Sequence, residues 1–396
     1  MAITIQSEPA TITTASNPCE FEFSSTNTGQ TAFSFLVELT INGSVVGYHQ
    51  VFAESSNYGK FDPTEFLRST VFSDLITDGT IQQPYTNAIC SYSIRVREKY
   101  GDPVAEQGSW VSSNTVYAFN GSLRHVDWLS FNYTDYDVSS TNDSLLLTSF
   151  PRTSTYFCAL TESQFVGTLV SNNLQTNIYV DLYDVNGSLI ASDNMASTSL
   201  SRLIVADVSP QTIIDQMTIT TSDFADCYYY EVQFRNISTG YQTEEFRIYI
   251  DTECSQYTSR RLHWLNKFGV WDSYSFTKHS EESTNVQSRG FETSKGNWND
   301  SNQFVYNRED GQSKTFAKTS TDKLTINSNW IKEEKHNWLM RSLMESPKVY
   351  LEVSQGVFEL VNVATSRYTL KKRIKEGLIQ ESIVLNKTYN YTSQLA

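Results

Sequence analysis

The chain has 396 residues, with 30 basic and 44 acidic side chains and a formal charge of −14. That length implies two to four domains at about 100–200 residues each, and the acidic balance argues against a nucleic-acid clamp, which needs a basic face. Hydrophobic residues make up 39%, aromatics 13% and charged residues 19%; a chain rich in Thr, Tyr, Phe and Val favours sheets and excludes a helical bundle, a coiled coil, a membrane-spanning protein and a disordered tail.

The start, Met1-Ala2-Ile3-Thr4-Ile5, carries no positive charge, and the first basic residue is Lys60. No secretory signal pattern and no apolar run of membrane-spanning length is present. The expectation is a protein made in the cytoplasm without membrane insertion, with Cys19, Cys90, Cys158, Cys227 and Cys254 reduced and mostly buried. Charge divides along the chain. Residues 1–258 hold 10 basic and 29 acidic side chains, net −19, and residues 259–396 hold 20 basic and 15 acidic, net +5.

Residues 1–118 read as a first domain. The run 32–41 alternates as a strand, Asn42-Gly43 is a hairpin-turn signal, and 45–51 returns. Asp62, Pro63 and Glu65 mark the start of a short helix that β-branched Thr70 and Val71 end. Tyr92 to Glu98 alternates again. Short alternating strands of this number predict a β-sandwich of the immunoglobulin or fibronectin-III kind. Residues 119–258 repeat the pattern in a second sandwich. A strand at 176–184 turns at Val185-Asn186-Gly187-Ser188, a short helix starts at Ser209-Pro210, and 227–234 pairs with 246–251.

Residues 259–396 read as a β-rich assembly domain. A hairpin of 260–266 and 270–278 closes around Asn266-Lys267-Phe268-Gly269. Alternation puts Val270, Tyr274 and Phe276 on one face and Trp271 on the other, so this hairpin must be covered twice. The polar stretch 278–323, with Phe291, Trp298, Phe304 and Phe316, reads as strands or an ordered excursion. The best helix of the chain spans about 328–345, capped by Ser328 or Asn329, with Ile331, Trp338, Leu339 and Leu343 on one face. A hairpin at 349–361 and strands at 368–373 and 379–385 complete the reading. The predicted class is therefore all-β and multi-domain, two tandem sandwiches followed by a β-rich domain with one main helix.

No nucleotide-binding, nucleophile-elbow or zinc-protease motif occurs. His125-x-Asp127 would share one face of a strand, but has no third ligand or nucleophile. Glu333 and Glu334 are consecutive and suit the positive end of a helix. The expectation is no enzyme, no metal and no cofactor. Tyr228-Tyr229-Tyr230 and Tyr389-Asn390-Tyr391 are candidate sugar-stacking surfaces, with at least one of the first three in the core. Lys371, Lys372, Arg373 and Lys375 form a candidate basic interface toward an acidic neighbour.

The run from Leu262 to Phe276 follows a pattern of hydrophobic-His-x-hydrophobic-Asn-x-x-Gly-x-aromatic-Asp-x-aromatic-x-Phe, carried by Trp264, Asn266, Gly269, Trp271 and Asp272. Downstream, Asn329-Trp330-Ile331-Lys332-Glu333-Glu334, Trp338-Leu339 and Ser346 to Leu351 follow in order. Gly59 to Leu67 and Ala118 to Leu123 are further landmarks upstream. This series resembles virion structural proteins of tailed phages that infect Bacteroidota, including crAss-like and marine flavobacterial phages. The family pattern has a second Gly where Val270 stands, so a slightly different turn is expected. The resemblance implies a tail, baseplate, neck or ring component, assembled in the bacterial host cytoplasm with other copies of itself and neighbouring virion proteins. It brings no catalytic residues. A carbohydrate-binding adhesin that recognises host surface glycan is the alternative.

Overall fold

The computed structural model describes residues 3–77, 79–196, 201–252, 256–294, 296–298, 301–305, 309, 311–365, 367–371 and 377–394. Strands hold 46% of the chain and helices 12%, so the fold is all-β and multi-domain. Among the described residues no helix is long and apolar enough to cross a membrane.

The first sandwich packs the sheet Ile3–Ser7, Phe21–Ser25 and Tyr58–Phe61 against a larger sheet. The larger sheet runs Ile12–Thr14, Val116–Phe119, Ile89–Tyr100, Ser34–Ile41, Ser44–Val51. Alternation decides which side chains meet. Phe21, Phe23, Phe35, Val37, Leu39, Tyr92, Ile94 and Val96 all face the space between the sheets. The short helix forms as Thr64–Thr70, and Asp62 receives the Thr64 backbone N–H at 3.0 Å.

In the second sandwich, Tyr156–Cys158, Phe246–Ile250, Tyr229–Asn236, Thr176–Tyr183 and Leu189–Ala196 form one sheet. The facing sheet contains Phe165–Leu169, Leu203–Asp207 and Gln82–Pro84, the last donated from the first 118 residues. The short helix expected after Ser209 spans Pro210–Gln216.

The last part of the chain is organised around one large sheet. Its order runs Trp271–Phe276, Arg260–Leu265, Val349–Ser354, Val357–Val363, Ser382–Lys387, Ser313–Asn327, Glu281–Glu292. The polar stretch thus becomes a long antiparallel ribbon, and its outer strand is exposed at all twelve positions. The main helix is Glu333–Met344, beginning later than 328. Ser328 does not cap it. Its backbone N–H donates to the Glu381 carbonyl at 2.8 Å and its hydroxyl accepts from Glu381 N at 2.9 Å, while Ile331–Lys332 pairs with Leu378–Ile379. No strand forms at 367–371, and the remainder of the expected strand at 368–373 lies outside the described residues.

Apolar cores cross between segments. One buried cluster runs from Val166, Val180 and Val232 into Trp264, Leu351 and Ile383. Another gathers Tyr85, Phe119, Phe165, Val205, Phe268 and Trp271 from all three.

Candidate functional site

The recognisable hairpin, Arg260–Leu265 with Trp271–Phe276, sits where these cores meet. Both of its faces are covered, as its apolarity requires. Trp264, Tyr274 and Phe276 belong to the core that contains the main helix, and Trp264 lies 5.3 Å, ring to ring, from Trp338. Trp271 faces the other way, and its indole N–H donates to Tyr85 Oη at 3.0 Å and to the Asp74 carbonyl at 3.1 Å. Val270 differs from the expectation. It stands before the strand begins, joins the Trp271 side and packs beside Gly167.

Asp272 is the centre of this region. Its carboxylate, 4% exposed, accepts from Thr148 Oγ1 at 2.8 Å, Ser149 Oγ at 2.6 Å, Asn266 Nδ2 at 2.9 Å and Trp338 Nε1 at 3.1 Å. A buried carboxylate is tolerated only when its oxygens are satisfied in this way. Asn266 also receives the Phe268 backbone N–H at 2.8 Å, which shapes the turn, and donates to the Leu147 carbonyl at 3.0 Å. Gly269 adopts φ +68 against Asn120. Trp264, Asn266, Gly269, Trp271, Asp272 and Trp338 are therefore brought together. Trp330 is not; it is 53% exposed beside the start of the helix.

A second polar network, not singled out in the sequence, lies one layer deeper. Arg261 is buried and uses its whole guanidinium. It donates to the Ser163 carbonyl at 2.8 Å, Glu162 at 3.0 Å, Ser275 Oγ at 2.6 Å and Gln164 Oε1 at 2.6 Å. Burial opposes the Glu162 charge, but Arg261 together with hydrogen bonds from the Ala159 N–H, Ser275 and Ser259 holds the carboxyl below its usual range. His263 bridges Ser273 Oγ, 2.7 Å from Nδ1, and Glu352, 3.0 Å from Nε2. Burial keeps the imidazole below its ordinary pKa. Glu352 also receives the Ser163 hydroxyl at 2.6 Å and stays ionised despite its burial. This Ser-His-Glu row resembles a hydrolase triad, but Ser273 and His263 are both fully enclosed, so no substrate carbonyl reaches the hydroxyl in this conformation. The sequence signal for the network is two polar residues, Arg261 and His263, alternating with the apolar Leu262 and Trp264 of the strand.

The remaining candidates are dispersed. His125 and Asp127 lie on a helix, His125–Leu129, not a strand, because the chain coils after the Val116–Phe119 strand; Asp127 pairs with Lys267 at 3.1 Å. Among the described residues no group of three or more metal-type ligands occurs. Tyr230 is core, Tyr229 stacks on Tyr183 at 5.0 Å with Arg247 over its ring, and Tyr228 is exposed. Tyr389 and Tyr391 are exposed. In the basic cluster, Lys371 pairs with Glu381 at 2.5 Å, and Lys372, Arg373 and Lys375 lie outside the described residues. Cys19, Cys90, Cys158 and Cys227 are free and buried, with the Cys90 and Cys158 thiols pushed up to about 12; Cys254 lies outside the described residues.

One cavity of about 270 Å³ opens beside the helix start. Lys335 projects into it, its Nζ 5.3 Å from the centre of Tyr274, 5.4 Å from Phe150 and 5.8 Å from Phe157, and donates to the Thr155 carbonyl at 3.0 Å. Burial lowers its pKa to about 8.

No protein-family model and no curated protein matches the chain. Solved structures similar in part include a membrane-anchored protein of Corynebacterium diphtheriae, at 10% identity and a TM-score of 0.22, covering 64% of this chain and 59% of that one. Another is a calcium-binding mutant of Bacteroides uniformis β-glucuronidase 2, at 10% identity and a TM-score of 0.17, covering 65% of this chain and 28% of that one. The chain spans less than two thirds of either, and scores of this size carry no argument about function.

Proposed function

We propose that this chain is a non-enzymatic structural component of a phage virion, in the tail, baseplate, neck or a ring, that assembles with copies of itself and with neighbouring virion proteins in the bacterial host cytoplasm. The observation that carries the reading is the use made of the motif side chains. Asn266, Asp272 and Trp338 are spent on hydrogen bonds that tie residues 148–149, the hairpin and the main helix together, and Trp271 ties the hairpin to residues 74 and 85. A motif consumed in this way builds a stiff body and leaves none of its polar groups for chemistry. The charge division adds a polarity suited to contacts between unlike surfaces of neighbouring subunits. Mass spectrometry of purified virions tests the proposal: the polypeptide is expected among the stoichiometric structural proteins, and its absence overturns the reading.

The adhesin alternative draws on the surface aromatics, Tyr228 beside the Tyr183–Tyr229 stack and the exposed Tyr389 and Tyr391. Binding on a glycan array that is lost in Tyr229→Ala or Tyr391→Ala favours it, and a blank array counts against it.

A further inference from the structure

Two large aromatics stay outside the cores where the cavity beside the helix start opens. In the edge strand Tyr156–Cys158, Tyr156 and Cys158 are buried and Phe157 between them turns outward, 48% exposed. Ile331 is buried in the same way, and Trp330 and Lys332 on either side of it turn out, Trp330 with about half its surface in solvent. Phe157, Trp330 and Lys332 all line the cavity. Trp330 belongs to the sequence motif, yet the hydrogen-bonded joint at Asp272 makes no use of it.

The Lys335 ammonium lines the same cavity. It uses one of its three N–H donors, on the Thr155 carbonyl at 3.0 Å, and makes no ion pair among the described residues. The rings of Phe150, Phe157 and Tyr274 favour a cation beside them, but they are not a counter-charge, and the one charge that bears on the amine is Arg261, of the same sign. Asp251 also lines the cavity, and Glu334 accepts from Thr153, another lining residue; neither pairs with Lys335. A charge drawn partly out of water is ordinarily paired, so a ligand carboxylate is the group this amine fits. A purely structural lysine, its stem packed on rings, accounts for Phe150 and Tyr274 but leaves the outward Phe157 and Trp330 without a role. The volume, about 270 Å³, lies at the small end for ligand pockets, which span about 300–1,000 Å³, and suits a single ring. Ser154 and Thr155 add hydroxyls to the wall. A ring with an apolar face, a hydroxylated edge and one carboxylate matches all of these features together.

We propose that this cavity binds a carboxylated sugar, a uronate residue of a glycan, with its carboxylate on Lys335 and its ring against Trp330 and Phe157. The site deepens the adhesin alternative above and rests on that reading for taking the carboxylate as a sugar's. It lies apart from Tyr389 and Tyr391, which do not line the cavity.

Calorimetric titration of the full chain tests it. The probes are tetrasaccharides of mannuronate, galacturonate and glucuronate, each beside the neutral sugar that carries a hydroxymethyl group in place of the carboxylate, with tetraglutamate as an acidic peptide. At least one uronate is expected to bind, with its neutral counterpart about tenfold weaker or more, as a charge-assisted hydrogen bond in a partly dry site implies. Lys335→Met, which keeps the stem and removes the charge, is expected to abolish that preference, and Lys335→Arg to retain it. Trp330→Ala and Phe157→Ala are each expected to weaken uronate binding about threefold, in proteins whose circular dichroism is unchanged. Failure of every uronate to bind, equal binding of the acidic and neutral sugars, or a preference that survives Lys335→Met overturns the site. Tetraglutamate binding as tightly as the best uronate also overturns it, in favour of an acidic peptide. Glycan binding that is lost in Tyr391→Ala and unmoved in Lys335→Met overturns this site and leaves the adhesin reading standing, whereas a blank array ends both. Virion composition is read separately.

Discussion

Gly269 lies against the backbone of Asn120 so closely that a Cβ on Gly269 would come within 1.8 Å of the Asn120 carbonyl oxygen. Two sequence landmarks separated by nearly 150 residues meet there, and the fit is backbone on backbone. The Ser122 N–H donates to the Lys267 carbonyl at 2.8 Å, and Ser73 joins both sides by donating to the Gly269 carbonyl at 2.7 Å and accepting from Asn120 Nδ2 at 2.9 Å.

Gly269→Ala is therefore expected to destabilise the protein by about 3 kcal/mol or more, since a left-handed backbone and a backbone collision add together. Denaturant unfolding measures it. Gly240→Ala, at φ +74 with open space around it, is the control and is expected to cost only the conformational part, about 1–2 kcal/mol.

Asp272→Ala removes the acceptor shared by Thr148, Ser149, Asn266 and Trp338. Stranding several buried donors is expected to cost about 3–5 kcal/mol. A urea titration followed by tryptophan emission reports the loss, because Trp338 and Trp264 sit at the broken joint.

Acid is expected to weaken the deeper network in two steps. His263 has a folded-state pKa below its ordinary value, so the unfolded chain takes up its proton first, and stability falls as pH drops through the range around and below about 6.5. Glu352 is also held below its ordinary value, so a second loss follows as pH falls below about 4.5. Melting temperature against pH shows both steps in the wild type. His263→Gln is expected to lose the upper one.

Lys335 gives the same sign at higher pH. Its folded-state pKa is lowered to about 8, so the protonated amine costs stability below that value, and the cost fades as pH rises toward the unfolded value near 10.5. Lys335→Met is expected to raise stability at pH 7 by about 1 kcal/mol after discounting for solvent screening, and the gain is expected to shrink toward pH 10. Thermal melts of the two proteins at matched pH check the trend.

Legibility in the sequence followed the range of the interaction. Alternation along 34–41, 92–98 and 176–183 announced strands because the side-chain period is set by the local backbone. The turn at Asn266 to Gly269 was equally local. Asp272 was readable as a residue in need of donors, but not as the partner of Thr148, Ser149 and Trp338, which only the folded chain brings near. Ser328 looked like a helix cap because its neighbours suit one, yet it serves the Glu381 backbone. Arg261 and His263 have near partners in Ser275 and Ser273 across the hairpin, but the acceptors that account for their burial, at 162–164 and 352, are about ninety residues or more away. The ribbon 281–327 was the hardest reading, because a strand exposed on both faces has no apolar period to display.

The Arg261 network also sets a timetable. Its acceptors at Glu162, Ser163 and Gln164 are made by the ribosome nearly a hundred residues before the guanidinium that satisfies them, and the apolar cluster around Val180 and Val232 waits for Trp264, Leu351 and Ile383. A nascent chain can close the core around Phe21, Phe35 and Tyr92 early, but everything after it must be held open until the last sixty residues emerge. The core around Val180 and Val232 is complete only once Leu385 is made, so a chain that ends between the first sandwich and Leu385 is expected to keep apolar surface open to proteolysis.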